Sequence, residues 1–194
     1  MNITLLQCTP LKIAVEAALT CTASVDKLEE RMWDGGINFL TKIINSGHES
    51  VIEHIVMTWR IEGISRAVLQ EISRHRLVSL SVESTRWALG KTLDMQHWRE
   101  RVRLSDVLRT PVIEEAIENI LAQSFLEQWK RGNDSAKYLL PECFTTNLIL
   151  TCNLREFRHI YKLRSSSRAL REFQEIAFAM ADALPEEHRK LVKI

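Results

Sequence analysis

The run Arg74-His75-Arg76-Leu77-Val78-Ser79-Leu80-Ser81-Val82-Glu83-Ser84-Thr85-Arg86 gathers guanidinium, imidazole and hydroxyl groups within thirteen residues. Donors outnumber acceptors there, which suits a bound anion with several phosphate or carbonyl oxygens. Arginine presents a rigid fork of N–H donors that lysine cannot copy. An Arg-His-Arg triplet alone reads as an exposed basic turn. The full spacing, in which seven residues separate Arg-His-Arg from Ser84 and Arg86 follows two positions later, lifts it above that reading.

Two further constellations carry candidate chemistry. His48-Glu49-Ser50-Val51-Ile52-Glu53-His54 flanks two carboxylates with histidines. The histidines are six apart, so they do not share a helical face as in H-E-x-x-H, and no metal is expected. Near the C-terminus, Arg155, Arg158, His159 and Lys162 recur at i, i+3, i+4 and i+7, forming one basic stripe on a helix. A solvated face is the plain account of Arg158 and Lys162. The four cysteines (Cys8, Cys21, Cys143, Cys152) form no C-x-x-C pair and have no histidine or basic cluster beside them. They read as buried structural thiols rather than zinc ligands or nucleophiles.

These groups need elements to hold them. Asn2 to Cys8 reads as a strand, Ile13 to Cys21 as a helix, and Asp34-Gly35-Gly36 interrupts a second helix begun at Lys27. Phe39, Leu40, Ile43 and Ile44 mark an amphipathic helix closed by Gly47. His48 and Ser50 fall in the turn before a strand starting at His54. Ile55, Met57, Trp59 and Ile61 alternate with polar or smaller residues along it, and Gly63 ends it. Ile64, Val68 and Ile72 then line a helix whose C-terminal end points at the Arg-His-Arg run, with Glu71 placed to hold Arg74 or His75. Leu89 to Arg109 has no clear period. Thr110-Pro111 starts a long helix with Ile113, Ile117, Leu121 and Phe125 as its core stripe. Asn133-Asp134-Ser135 caps a short helix. Thr145 to Cys152 is a strand, and Asn153 caps a helix facing Leu154, Phe157 and Tyr161 inward. Ser165-Ser166-Ser167 starts a last helix, stopped by Pro185. Strands and helices segregate rather than alternate, so the expected class is α+β, a small sheet packed by helices.

At 194 residues, with 45% hydrophobic and 26% charged residues, the chain suits a single catalytic domain over 1–194. A net charge of +1 gives no case for bulk electrostatic binding of nucleic acid. No apolar run reaches the ~18 residues of a membrane span, and no signal peptide is apparent. No membrane association and a cytoplasmic location are expected.

The Arg-His-Arg signature resembles that of the flavin-dependent thymidylate synthases, which are unrelated to the cysteine-nucleophile synthases. His48 to His54 resembles the family's His-Glu-x-x-x-Glu-His segment, and Lys137 to Arg164 its Arg-x-x-Leu-Pro … Asn-x-Arg … Leu-Arg region. The similarity covers nearly the whole chain and is weakest between Leu89 and Pro111. It implies reductive methylation of dUMP to dTMP with FAD as cofactor and with 5,10-methylenetetrahydrofolate and NADPH as co-substrates. It also implies a homotetramer whose active sites draw on several subunits. By the resemblance, Ser50, Arg74, His75, Arg76, Asn153, Arg155 and His159 hold FAD. Glu71, Arg74, Glu83, Ser84, Thr85, Arg86, Lys137 and Arg164 contact the nucleotide, and Arg164 stabilises charge on the uracil ring as the catalytic group. The chain departs from the family pattern at Val82 (often glutamate), Lys137 (arginine), His159 (asparagine), Arg168 (histidine) and Glu71, where glutamine is usual. Two alternatives stand beside this reading: a flavoprotein acting on another nucleotide, and a non-enzymatic RNA-binding module using the basic run.

Overall fold

Ile55, Met57, Trp59 and Ile61 are fully buried, so the alternation in sequence is the inner face of a strand and its lead-in. The computed structural model describes residues 1–193, with all their side chains except those of Thr92, Asp106 and Trp129. The principal elements in chain order are β1 (Asn2–Cys8), α1 (Leu11–Thr20), α2 (Leu28–Arg31), α3 (Ile37–Asn45), a 3₁₀ helix (Glu49–His54), β2 (Val56–Ser65), α4 (Arg66–Ser73), β3 (Val78–Val82) and α5 (Thr85–Thr92). They continue with α6 (Pro111–Arg131), α7 (Asn133–Ala136), β4 (Thr145–Asn153), α8 (Leu154–Arg164), α9 (Arg171–Asp182) and α10 (Glu186–Val192). The strands form one antiparallel sheet in the order β1-β2-β4-β3, which gives the expected α+β class.

The chain folds into two compact units, each assembled from non-contiguous segments. The first holds Met1–Asn2, Ile61–Arg74 and Ser81–Leu148; the second holds Ile3–Arg60, His75–Leu80 and Ile149–Ile194. The boundary falls inside the Arg-His-Arg triplet.

In the first unit, Leu89, Leu93, Trp98, Val102, Leu121 and Phe144 form the centre of an apolar core. All four stripe residues of α6 join it, Ile117 and Leu121 buried and Ile113 and Phe125 partly so. Thr110 accepts from the Ile113 amide at 3.4 Å, with Pro111 in the first turn, as the sequence predicts. In the second unit, Trp59 packs against Phe157 at 4.8 Å between centroids and donates its indole N–H to Met180 O at 3.2 Å. That bond satisfies the one polar atom of a fully buried indole. The end of α3 is a Schellman turn: Gly47, at φ 84°, donates to Ile44 O while His48 donates to Ile43 O.

Several sequence expectations are corrected. His54 ends the 3₁₀ helix and does not begin the strand. Gly63 does not end β2: at φ 69° its N–H turns to Asn147 Oδ1 at 2.9 Å while the strand continues to Ser65. Ile64 therefore lies in β2, and α4 begins after Ser65, whose hydroxyl accepts from the Val68 amide. Gly132, not Asn133, precedes α7 as its cap. Ile160, more than Tyr161, is buried on α8. Ser165 closes α8 rather than opening α9, and a further helix, α10, follows Pro185.

Candidate active site

Asn153 accepts from the Glu156 amide at 2.9 Å and so sets the start of α8, as its sequence position predicts. One face of that helix then presents Arg155, His159 and Lys162 to a cleft of about 1180 Å³ within the second unit. Glu49 and Glu53, one turn apart on the 3₁₀ helix, line the same cleft. Arg158 Nη1 donates to Glu49 Oε1 at 2.6 Å, and Arg155 pairs with Glu53 and with Glu49. The Glu53 carboxylate, with Glu49 behind it, pushes Arg155 above its ordinary pKa. Arg158 is therefore more than a solvated basic face: its side chain is mostly covered and anchors α8 to the 3₁₀ helix. Leu77, Tyr161 and Val192 add apolar surface to the cleft wall. Cations beside an apolar wall suit a ligand with both phosphate and aromatic parts.

A buried cluster lies beside this face. His75 is only 8% exposed, and its Nε2 accepts from Arg164 Nε at 3.1 Å. Its Nδ1 faces Glu156 Oε1 at 3.5 Å. The Arg164 guanidinium lies 4.7 Å from the centroid of Phe173, whose ring also meets His75 edge-on at 6.0 Å. A cation over an aromatic face gains about 0.5–2 kcal/mol, most when water is excluded. Burial raises the Glu156 pKa, and His159 pulls it back. His75 is not among the residues that line the cleft, and neither are Ser50, Arg74, Arg76 and Arg164. Ser50 and Arg76 are exposed, the first on the 3₁₀ helix beside Glu49.

In the first unit, Arg74 ends α4 and pairs with Glu71 at 3.5 Å. Glu83 sits between two partners: Oε1 accepts from Arg101 Nη2 at 2.9 Å and Oε2 from Asn147 Nδ2. Arg101 also reaches Thr145 O at 3.3 Å and lies over the Phe144 ring. These bonds fix the chain just before Ser84, Thr85 and Arg86, which open α5. Ser84 occupies the cap position without a side-chain cap bond. Arg86 Nε donates to Asp134 Oδ1 at 2.7 Å, and its carbonyl accepts from Asn133 Nδ2. Lys137 follows at the end of α7, half-buried.

Sequence reasoning missed Glu49, Glu53, Glu156, Arg101 and Asn147 as parts of these arrangements. For Glu156 a signal existed. Glu156, Ile160 and Arg164 fall at i, i+4 and i+8, a face distinct from the basic stripe, and a carboxylate sharing a face with buried Ile160 calls for a partner. Arg101 and Asn147 lie 18 and 64 residues from Glu83, and no local spacing reveals them.

A family described as thymidylate synthase complementing protein (Thy1) matches residues 4–188. A flavin-dependent thymidylate synthase of Wolinella succinogenes is 37% identical, covering 98% of this chain and 97% of the relative. One from Helicobacter pylori strain 26695 is 35% identical over 94% of this chain and 93% of its own. The crystal structure of Thymidylate Synthase X from Helicobacter pylori with FAD and dUMP superposes with a TM-score of 0.89 at 31% identity, covering 100% of this chain and 98% of that one. Nearly full-length matches at such identity settle the lineage: the chain belongs to the family of flavin-dependent thymidylate synthases.

Proposed function

We propose that the protein, as one catalytic domain, methylates dUMP to dTMP with FAD bound in the cleft of the second unit. The observation that carries this reading is the setting of Arg164, half-buried at the end of α8 and held against the buried His75 and Phe173. Uracil C5 attacks carbon only when the ring becomes enolate-like, and negative charge then spreads over O4, N3 and O2. A planar guanidinium held in one orientation stabilises that charge as it develops, with no reorganisation at the moment of reaction. No protein nucleophile is required, and burial pushes the Cys8 thiol up to about 11 and Cys152 higher still, away from thiolate chemistry.

The residues present fit the cofactor. Arg155, His159 and Lys162 offer donors for a diphosphate, and Leu77 and Tyr161 offer surface for rings. The family resemblance also assigns Arg74, His75, Arg76, Ser50 and Asn153 to FAD; of these five, Asn153 lines the cleft. When bound, the flavin supplies hydride and one-carbon transfer, drawing on 5,10-methylenetetrahydrofolate and NADPH. The nucleotide phosphate is taken by Ser84, Thr85 and Arg86. The first-turn amides of α5 and the Ser84 hydroxyl, which makes no cap bond to the helix, add neutral donors there. Lys137 supplies a point charge to the same ligand. Glu83, engaged by Arg101 and Asn147, holds this segment in place. The family resemblance implies a homotetramer whose active sites draw on several subunits.

The test is tritium release from C5-labelled deoxyuridylate with methylenetetrahydrofolate, NADPH and FAD. Release that depends on all four is the expected result. A yellow protein that releases no tritium would favour a flavoprotein acting on another nucleotide, and a colourless one that binds RNA would favour the non-enzymatic module.

A further inference from the structure

The bond between His75 and Arg164 constrains where the imidazole hydrogen sits. Arg164 Nε always carries a hydrogen and has no acceptor capacity. Its 3.1 Å bond to His75 Nε2 requires that nitrogen to be bare. The hydrogen of the neutral ring then lies on Nδ1, which faces Glu156 Oε1 at 3.5 Å. Glu156 is itself buried, at 8% exposed, two helical turns before Arg164 on the same face of α8. Phe173 closes the cluster against both His75 and Arg164, and the His159 ring stands 6.2 Å from that of His75. Side chains this enclosed have few alternative rotamers, so the choice of tautomer is also the choice of orientation.

We propose that Glu156 and His75 are positioning residues for Arg164: Glu156 keeps the His75 hydrogen on Nδ1, so that Nε2 remains an acceptor and fixes the plane of the Arg164 guanidinium. This rests on the reading of Arg164 as the group that faces the pyrimidine. It gives the central residue of the Arg-His-Arg run a task beyond anion binding, and it makes a carboxylate outside the basic stripe a participant in turnover. The relation is that of a buried acid orienting an imidazole, which in turn orients the group that meets the substrate.

The test begins with the holoenzyme labelled with 15N-histidine. At neutral pH the ring signals lost in His75→Gln are expected to show a protonated Nδ1 and a bare Nε2. A hydrogen on Nε2, or a doubly protonated ring, would overturn the proposal whatever the kinetics. In Glu156→Gln the His75 tautomer population is expected to move toward Nε2–H, with kcat reduced and the KM for dUMP unchanged. If both stay as in the wild type, Glu156 has no such role.

Two replacements of His75 supply the rescue arm, measured at saturating FAD and nucleotide. Glutamine sets an amide oxygen where Nε2 stood, whereas the shorter asparagine cannot reach Arg164. His75→Gln is expected to stay within about tenfold of wild-type kcat and His75→Asn to fall at least about tenfold below it. Equal kcat values, or a loss of flavin content that accounts for both, would make His75 a packing or cofactor residue instead. Failure of the Arg164 reading is distinguishable: Arg164→Ala would then keep its kcat while the tautomer result stood.

Discussion

Arg164 meets His75 against Phe173 and a buried helix face, while Arg86 meets Asp134 with both side chains more than 60% exposed. The pairs are similar in length, 3.1 and 2.7 Å, but not in what they can do. In the enclosed cluster the low dielectric strengthens each polar contact and makes each lost partner costly, so orientation is held tightly. In the exposed pair water screens the charges, side-chain entropy offsets the Coulomb gain, and the arginine exchanges one anion for another cheaply. A group that must track charge during a reaction belongs in the first setting. A group that must capture and release a phosphate belongs in the second.

Between them stands Glu83, about one-fifth exposed like its partner Arg101. Its carboxylate is occupied on both oxygens. Within the first unit it ties the segment before Ser84 to Arg101 and Asn147.

Arg164→Ala is expected to lower kcat by ~10²–10³-fold at saturating nucleotide, as loss of an oxyanion donor does. Arg164→Lys should recover little, because an ammonium cannot span two ring atoms. Steady-state kinetics beside a thermal melt would show whether the loss is chemical or merely of folded protein. A melt that collapses while the folded fraction keeps its kcat would make Arg164 a helix-end residue only.

Next in size is Arg101→Ala, which strands the Glu83 carboxylate in a partly covered setting. Stability should fall by about 1–3 kcal/mol, and the KM for dUMP should rise more than kcat falls, because the Ser84–Arg86 segment loses its support. Arg101→Lys should restore part of the stability, keeping the charge but not the second bond to Thr145 O. A KM unmoved by Arg101→Ala would separate Glu83 from the nucleotide.

How much of this was readable beforehand follows from the range of each signal. Asn153, Gly47 and Thr110-Pro111 mark helix ends because a cap bonds within three to five residues, and all three hold in the structure. The alternation from Ile55 to Ile61 was legible because burial on one face imposes period two. The strand β3 was not, since only Val78 and Leu80 are partly covered on it and its pattern lies inside the anion-binding run. Pro185 reads in sequence as a stop, yet it holds the cap position of α10, because proline serves helix starts as well as ends. The three-way arrangement at Glu83 depends on chain-distant partners and leaves no trace in spacing.

A smaller effect distinguishes the enclosed cluster thermodynamically. Burial raises the Glu156 pKa above its ordinary value, so the folded protein binds more protons than the unfolded chain between ~4.3 and that raised value. Stability from this group therefore falls as pH rises through the window and is level above it. Glu156→Gln removes the titration. The Tm of the variant minus that of the wild type should grow as pH is raised through the window, then flatten. Parallel Tm curves would mean that the carboxyl is solvated, and the contrast with the exposed pair would weaken.

The smallest effect has the most diagnostic sign. Asp134 and Arg86 are 62% and 63% exposed, so their pair contributes only ~0–1 kcal/mol to stability. Asp134→Asn should leave the melting temperature nearly unchanged, particularly as Asn133 still holds the Arg86 carbonyl. If Arg86 takes the nucleotide phosphate, Asp134 competes for the same guanidinium and repels the incoming anion. Removing its charge should then lower the KM for dUMP a few-fold, with kcat unchanged, since the contact is equal in ground and transition states. The gain should shrink as salt is added, because an exposed charge at this range is screened within about a Debye length of ~8–10 Å. Arg86→Ala should raise the KM, and adding Asp134→Asn to it should give little further change, because the competition has lost its object. A KM that rises in Asp134→Asn alone would mean that the carboxylate orients Arg86 for binding rather than occupying it. The exposed pair would then work by fixed orientation, as the enclosed one does, and exposure would no longer separate them.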